Sequence, residues 1–404
     1  MTLDENMVCL FEECNSAGPA IAELLSNIGT KFIVLDAGGG TVDLTSYEVI
    51  SQAPFRIKQL AAPTGGPFGS TVVDENYMSF IRDLIGRDAA AALDHRMHVK
   101  LAVLASWEIA KLRPDIANEV TQINLGPICE VLAELKLATL PVLVAEYKCR
   151  HPECGLEALG EQRIRIHPHH IKTFFQSSLQ AIAQCLDDYL TTTAATRATH
   201  VLLVGGYSNS AFLWDTVHDT TVKRGVNSLL RVRRPDLAIV QGAVIYAAKR
   251  RSVLSSRVSA YTYGMSLRSP VCHMTPISEE ALTGRQLHHD DEGRPYVDVF
   301  HTFVQKGFEI PFQYITPRQW SSPFSKYSRT SVFPVLASTT ETPVFPDDEG
   351  VKEIGRYSVP LDMSVPFGDR EHMTEMEFGD VEIWCRTFEC KRGELVGEST
   401  LEAL

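Results

Sequence analysis

The sequence predicts an α/β fold followed by a β-rich region, and three observations carry that reading. The apolar run Phe32-Ile33-Val34-Leu35 ends in Asp36, and after Ala37 come Gly38, Gly39, Gly40 and Thr41 before the chain turns apolar again at Val42. A second apolar run, His200 to Val204, enters the pair Gly205-Gly206, and a helix-like segment follows from Ala211 to Val217. Beyond Gly264 helical spacing gives way to prolines and short alternating stretches. Strands that run into glycine turns and helices belong to α/β sheets, and alternation bounded by turn residues belongs to β structure.

Taken in order, Phe32–Leu35 reads as a buried strand and Val42–Val49 as its hairpin partner. The glycines between them let successive backbone N–H groups point at one spot, which makes a nest for an anion, and Thr41 adds a hydroxyl. Asp36 and Asp43 would repel a phosphate, so they make sense if a divalent cation sits between them and it. The plain alternative is a glycine-rich hairpin turn. Thr64 to Thr71 is a further glycine-rich loop ahead of the amphipathic stretch Val72–Ile85. Glu108 and Lys111 share a helix face and could serve one ligand, or form an ordinary i,i+3 ion pair. Ser208, Asn209 and Ser210 are candidate N-caps for the helix at Ala211. Pro235 and Asp236 suit a first helical turn, while Ala238, Gly242 and Ala243 allow close helix packing.

These segments, in this order, resemble the second lobe of the actin-like ATPase (ribonuclease H-like) fold. The likeness is to the 70-kDa heat-shock chaperone family, and it covers residues 8 to 265. Asp36 to Asp43 resembles that family's second phosphate motif, Gly205 to Ser210 its adenosine motif, Pro235 to Ala248 its second connecting helix, and Trp107 to Lys111 its E-x-A-K helix. The resemblance implies ATP or ADP as ligand with Mg²⁺. Asp36, Gly38, Gly39, Gly40, Thr41 and Gly69 would hold the phosphates, Glu108, Lys111, Gly205, Gly206 and Asp236 the rest of the nucleotide. Asp36, Asp43 and Glu13 (with Glu12 the alternative) would face the metal. It further implies an inner part at 30–65 and 196–265 and an outer part at about 66–195; the change of texture gives a β-rich region at 266–404, in which the Pro-, Ser- and Thr-rich stretch Pro317–Gly350 reads as a long loop or mobile segment.

The chain also departs from the family pattern. Leu112 and Asn209 stand where two arginines are implied to sandwich the adenine, and Tyr207 stands where a serine is usual, either stacking on a base or filling space. Nothing ahead of Phe32 resembles the first phosphate motif, the first connecting helix or the catalytic lysine, so weak or absent hydrolysis is expected, whether the short start is natural or lost. Two functions remain open. One is an ATP-binding heat-shock-70-like chaperone that takes an extended peptide or protein client. The other is a non-catalytic interaction protein that uses its β-rich tail. A sugar kinase of the same fold is the weaker third reading.

Composition narrows the classes. With 44% hydrophobic and 22% charged residues the balance is that of a soluble globular protein. No apolar run approaches the roughly 20 residues of a membrane span. A net charge of −12 argues against non-specific nucleic-acid binding, which needs clustered Lys and Arg. Nine scattered cysteines without a signal peptide fit reduced thiols and a cytoplasmic location. Cys149 and Cys154, followed by His167 and His170, come near zinc-ligand spacing, but the histidines are too close together and read as surface residues at a helix start.

Overall fold

The computed structural model describes residues 19–113, 115–191, 197–226, 228–249, 253–273, 282–379 and 382–402. It is a mixed α/β molecule with several sheets, divided into two compact units: residues 1–56 with 63–251, and 57–62 with 252–404. The division falls ahead of the change of texture read at residue 265.

In the first unit α1 (Pro19–Ser26) precedes β1 (Lys31–Ala37) and β2 (Val42–Gln52). These pair antiparallel, with Leu35 opposite Leu44 and Asp36 opposite Asp43. Strand β3 (Phe55–Gly66) follows, its middle belonging to the second unit. Two helices come next, α2 (Ser70–Asp94), interrupted at Gly86 with φ 78°, and α3 (Met97–Lys111). A small antiparallel sheet is built from β4 (Thr121–Asn124), then, after helices α4 (Gly126–Glu134) and α5 (Leu140–Arg150), β5 (Leu156–Leu159) and β6 (Arg163–Ile166), in the order β4-β6-β5. The long α6 (Pro168–Thr191) leads back to β7 (His200–Val204), which lies parallel to β1 with Val204 opposite Asp36. A 3₁₀ turn at Gly206–Asn209, α7 (Ala211–Lys223), β8 (Ser228–Arg231) parallel to β7, and α8 (Ala238–Lys249) complete the unit. The last helix starts at Ala238, so Pro235 and Asp236 occupy the turn before it rather than its first turn.

The sequence reason for this core is plain. Strand β1 has a neighbour on each side and apolar residues pointing both ways, so Ile33, Leu35 and Ala37 are fully buried. Away from the sheet, Tyr77 on α2 stacks on Trp107 of α3, centroids 4.4 Å apart, and Phe174 of α6 meets Trp107 edge-on. Such pairs add about 0.5–1.5 kcal/mol each beyond the area they bury.

The second unit is almost entirely β. Strand β9 (Leu254–Val258) runs parallel to Ile57–Lys58, and the Val258 N–H donates to Gln59 Oε1 at 2.8 Å. One five-stranded sheet contains β10 (Thr262–Pro270), β11 (Leu287–His289) and β12 (Pro295–Val304). Strand β13 (Glu309–Pro311) pairs with β9. The short β14 (Tyr314–Ile315) and β15 (Gln319–Ser321) belong to a second sheet, whereas β16 (Thr330–Ser338) and β17 (Val351–Pro360) extend the first, giving β11-β12-β10-β16-β17. The second sheet is completed by β18 (His372–Phe378), β19 (Glu382–Glu389) and β20 (Leu395–Glu402). The two sheets share one core, including Met265, Phe333, Val335, Tyr357, Met376, Phe378 and Ile383.

The stretch Pro317–Gly350, expected as a long loop or mobile segment, thus carries β15 and also β16, the latter on the run Ser331–Ser338 whose alternation reads as a strand. Apolar Phe333, Val335 and Ala337 alternate toward the core, and the ladder to β10 ends at Val335, so the missing N–H of Pro334 falls outside it. Among the described residues, no helix is long and apolar enough to cross a membrane.

Candidate functional site

The first turn of interest joins β1 to β2. The Gly38 N–H donates to the Thr41 carbonyl at 3.0 Å and closes it. The carbonyls of Gly38, Gly39 and Gly40 accept from the N–H groups of Ser70 (3.1 Å), Thr71 (2.8 Å) and Gly69 (3.2 Å) at the start of α2. The Thr71 hydroxyl also donates to Gly39 O at 3.0 Å. With its carbonyls tied to the helix, the turn has its amides on the other side, and among the described residues no acceptor meets the Gly39 and Gly40 N–H groups. That is the geometry of an anion nest. Gly69 is a point of close approach, since a Cβ there would lie 2.4 Å from the Gly39 carbonyl oxygen, and its own N–H is already bonded to Gly40.

The second glycine turn meets the first from β7. Gly205 has φ 83°, and a Cβ on it would stand 2.3 Å from the Ala37 carbonyl oxygen and 2.4 Å from Asp36 Oδ1. Only glycine fits that conformation and that space. Its N–H donates to the Pro235 carbonyl at 2.9 Å, which anchors the turn before α8. Gly206 differs, because nothing lies within 4 Å of its Cβ position.

Asp36 and Asp43 face each other across an antiparallel pair, an arrangement that repulsion makes unfavourable. Burial pushes the Asp36 carboxyl above the usual carboxylate range, and the neighbouring Asp43 charge raises it further. The Thr41 hydroxyl donates to Asp43 Oδ2 at 2.9 Å. Two opposed carboxylates beside an amide nest fit a hard divalent cation that keeps most of its waters and shares a phosphate. Glu13, expected as the third acid, lies outside the described residues. Among those described, no three His, Cys, Asp or Glu side chains are grouped as metal ligands, Cys149, Cys154, His167 and His170 included. His170 is not the surface residue expected. Its ring packs edge-on against Phe80 and Phe174, both at 5.3 Å, and burial pushes its imidazole down to about 4.

Lys111 and Glu108 do form the i,i+3 pair, at 2.6 Å, yet the lysine is only 3% exposed. A third group holds it: Asp74 on α2 accepts from Lys111 Nζ at 2.8 and 3.0 Å and from the Trp107 indole at 2.9 Å. Burial raises the Asp74 carboxyl despite these donors, with the Glu108 charge adding to the effect. Sequence reading missed Asp74, one of two adjacent acids with Glu75 in the amphipathic stretch, with no spacing to mark it. Tyr207 is buried, its hydroxyl accepting from Ser178 at 3.2 Å and its ring 6.3 Å from Phe175. Arg234 donates to the Asp236 carboxylate at 3.0 Å and holds it below the usual range.

A cleft of about 380 Å³ brings these parts together. Of the residues read from the sequence, Gly39, Glu108, Lys111, Gly206 and Asp236 line it, joined by Ser70, Leu112, Tyr207, Asn209 and Ser210. Asp36, Gly38, Gly40, Thr41, Asp43, Gly69 and Gly205 are not in its lining but build the two turns that frame it.

No family model matches the chain. Curated relatives do match it, and they make it a divergent relative of the 70-kDa heat-shock family. It is similar to heat shock 70 kDa protein 12A of Homo sapiens, 25% identical over 386 residues, which is 90% of this chain and 53% of that protein. The Mus musculus 12A protein gives 25% over 385 residues, again 90% and 53%. Heat shock 70 kDa protein 12B of Homo sapiens gives 25% over 378 residues, 88% of this chain and 51% of that protein. The chain spans about half the length of the curated relatives it matches.

Proposed function

We propose that the first unit is an actin-like ATPase lobe that binds Mg²⁺ with ATP or ADP in the cleft between its two glycine turns. The observation that carries this is the convergence of four distant segments, through Gly39, Glu108 with Lys111, Gly206 and Asp236, on one cleft. In this reading the amides of Gly39 and Gly40 and the Thr41 hydroxyl meet the phosphates. Mg²⁺, when bound, supplies the positive charge between phosphate and the carboxylates of Asp36 and Asp43. Glu108 accepts from ribose hydroxyls, while Leu112, 47% exposed at the cleft, offers an apolar wall to the base. Hydrolysis is weak or absent in this reading, because phosphoryl transfer depends on fixed positive charge and the phosphate turn Asp36–Asp43 carries no Lys or Arg.

The test is the nucleotide-induced rise in melting temperature, with Mg²⁺ present, for the whole chain. Asp36→Asn and Thr41→Ala should abolish the rise. A folded-state carboxyl raised by burial favours the protonated form, so its contribution is lost as pH climbs through the raised value. Ligand-free Asp36→Asn is therefore as stable as the parent, or more so, at neutral pH. Variants that keep the full rise contradict the reading.

Leu112 and Asn209, standing where the resemblance implies adenine-clamping arginines, favour a second reading, a non-catalytic interaction protein with little nucleotide affinity. For the second unit the corresponding proposal is an extended peptide or protein client, taken up by strand addition at an end strand of one of its sheets. Client capture unchanged in Asp36→Asn would favour the interaction protein.

A further inference from the structure

Lys111 is the one cation among the described residues that line the 380 Å³ cleft, and it is held away from it. The residue is 3% exposed, and each of its three ammonium donors has an acceptor. Asp74 takes two, through Oδ1 at 2.8 Å and Oδ2 at 3.0 Å, and Glu108 takes the third at 2.6 Å. Glu108 is the lysine's i,i+3 neighbour and half exposed, so it is the weaker hold. Asp74 comes from another helix. It sits on α2 one turn beyond Ser70, itself in the cleft wall, and its Oδ1 also accepts from the Trp107 indole at 2.9 Å. That indole is fully buried and stacked on Tyr77, which fixes the carboxylate against the ammonium. One lysine thus faces two carboxylates, and the group is net negative where a simple pair would be neutral.

We infer that Asp74 is a positioning residue that sets specificity: by holding Lys111 away from the cleft, it makes the site select nucleotide that carries its own cation over free nucleotide. This rests on the nucleotide reading of the cleft and concerns the charge state of the ligand that is taken. The amides of Gly39 and Gly40 are neutral donors, and the other charged groups in the cleft wall, Glu108 and Asp236, are acidic. A free diphosphate therefore meets no available cation, and its repulsion by the carboxylates grows with its own charge. Replacing Asp74 by Asn keeps the oxygen that accepts from Trp107 and Lys111 and puts an amide nitrogen in place of Oδ2. That nitrogen is a donor facing a donor, so Lys111 loses an acceptor and its ammonium is released toward the phosphates.

The experiment titrates ADP, with Mg²⁺ and separately with EDTA, into the full chain, into Asp74→Asn and into Asp74→Asn/Lys111→Met, each checked for folding by its melting temperature. In EDTA, Asp74→Asn should bind ADP about tenfold more tightly than the parent does, the scale of one charge interaction across the cleft. With Mg²⁺ the gain should be smaller, because the metal cancels most of the ligand's charge, so the variant depends less on the metal than the parent. The double variant should return to the parent's affinity in EDTA. Should Asp74→Asn fail to fold, Asp74→Ser, which also offers Trp107 an acceptor, gives the same comparison. Unchanged affinities, or an equal change in both media, overturn the inference and leave Asp74 as a tie between two helices. A gain that persists in the double variant also overturns it, because Lys111 then plays no part. Failure of the parent to bind ADP with Mg²⁺ defeats the nucleotide reading itself, an outcome distinct from these.

Discussion

The two glycines of the second turn divide their labour at the level of single atoms. Gly205 is locked by its positive φ and by the Ala37 carbonyl and Asp36 carboxylate against it, whereas Gly206 has open space. Gly205→Ala should therefore destabilise the folded protein by roughly 2–4 kcal/mol, read by urea unfolding. Gly206→Ala should cost less than about 1 kcal/mol of stability yet lower nucleotide affinity at least tenfold, because the added methyl enters the cleft. Equal stability losses in both variants would contradict this division. Both glycines were legible in the sequence as one motif. Their different duties were not, since a dipeptide carries no record of which carbonyl lies against which Cα. The same holds for Lys111, legible as a member of a pair but not as the centre of a triad with Asp74.

At the scale of elements, that triad ties α2 to α3. Removing the cation leaves two carboxylates facing each other, one of them in a part-buried setting, so Lys111→Met should cost about 2–4 kcal/mol. Adding Asp74→Asn should return part of the loss, and a double-mutant cycle in chemical denaturation measures it. An additive pair would contradict the coupling. His170 plays a comparable part between α6 and α2. It is held neutral, its imidazole pushed from 6.5 to about 4 by burial and by His169 and His151. The unfolded chain takes up a proton as pH falls below 6.5 and the folded chain resists until about 4, so stability is full above 6.5 and declines across that window. His170→Phe should flatten the decline in melting temperature between neutral pH and pH 5, and an unchanged slope would contradict the assignment. The elements around these residues follow the sequence pattern closely. The helix start read around His167 and His170 is where α6 begins, at Pro168, directly after β6. The sequence could not say that His170 turns inward, because that depends on the aromatic side chains of α2 and α5 arriving from elsewhere in the chain.

Over the whole molecule, an α/β part followed by β structure was readable because hydrophobic periodicity changes along the chain. The assignment of Ile57–Ala62 to the second unit was not, because a strand that continues from one unit into another shows no break in composition. The segment Pro317–Gly350 was only half legible: the alternation of Ser331–Ser338 marks β16, whereas the turn-rich composition around it hides β15. Charge is the global property that bears most on function. The chain carries a net charge of −12, and Asp36, Asp43, Asp74, Glu108 and Asp236 cluster in and around the cleft. A polyanion entering such a site must bring a cation with it. Calorimetric titration of ADP into the full chain, with Mg²⁺ and then with EDTA, tests this most directly. Binding tighter than about 100 µM, near −5.5 kcal/mol, with Mg²⁺ and at least tenfold weaker in EDTA is the predicted result. No binding by the folded chain, or equal binding without the metal, would contradict it.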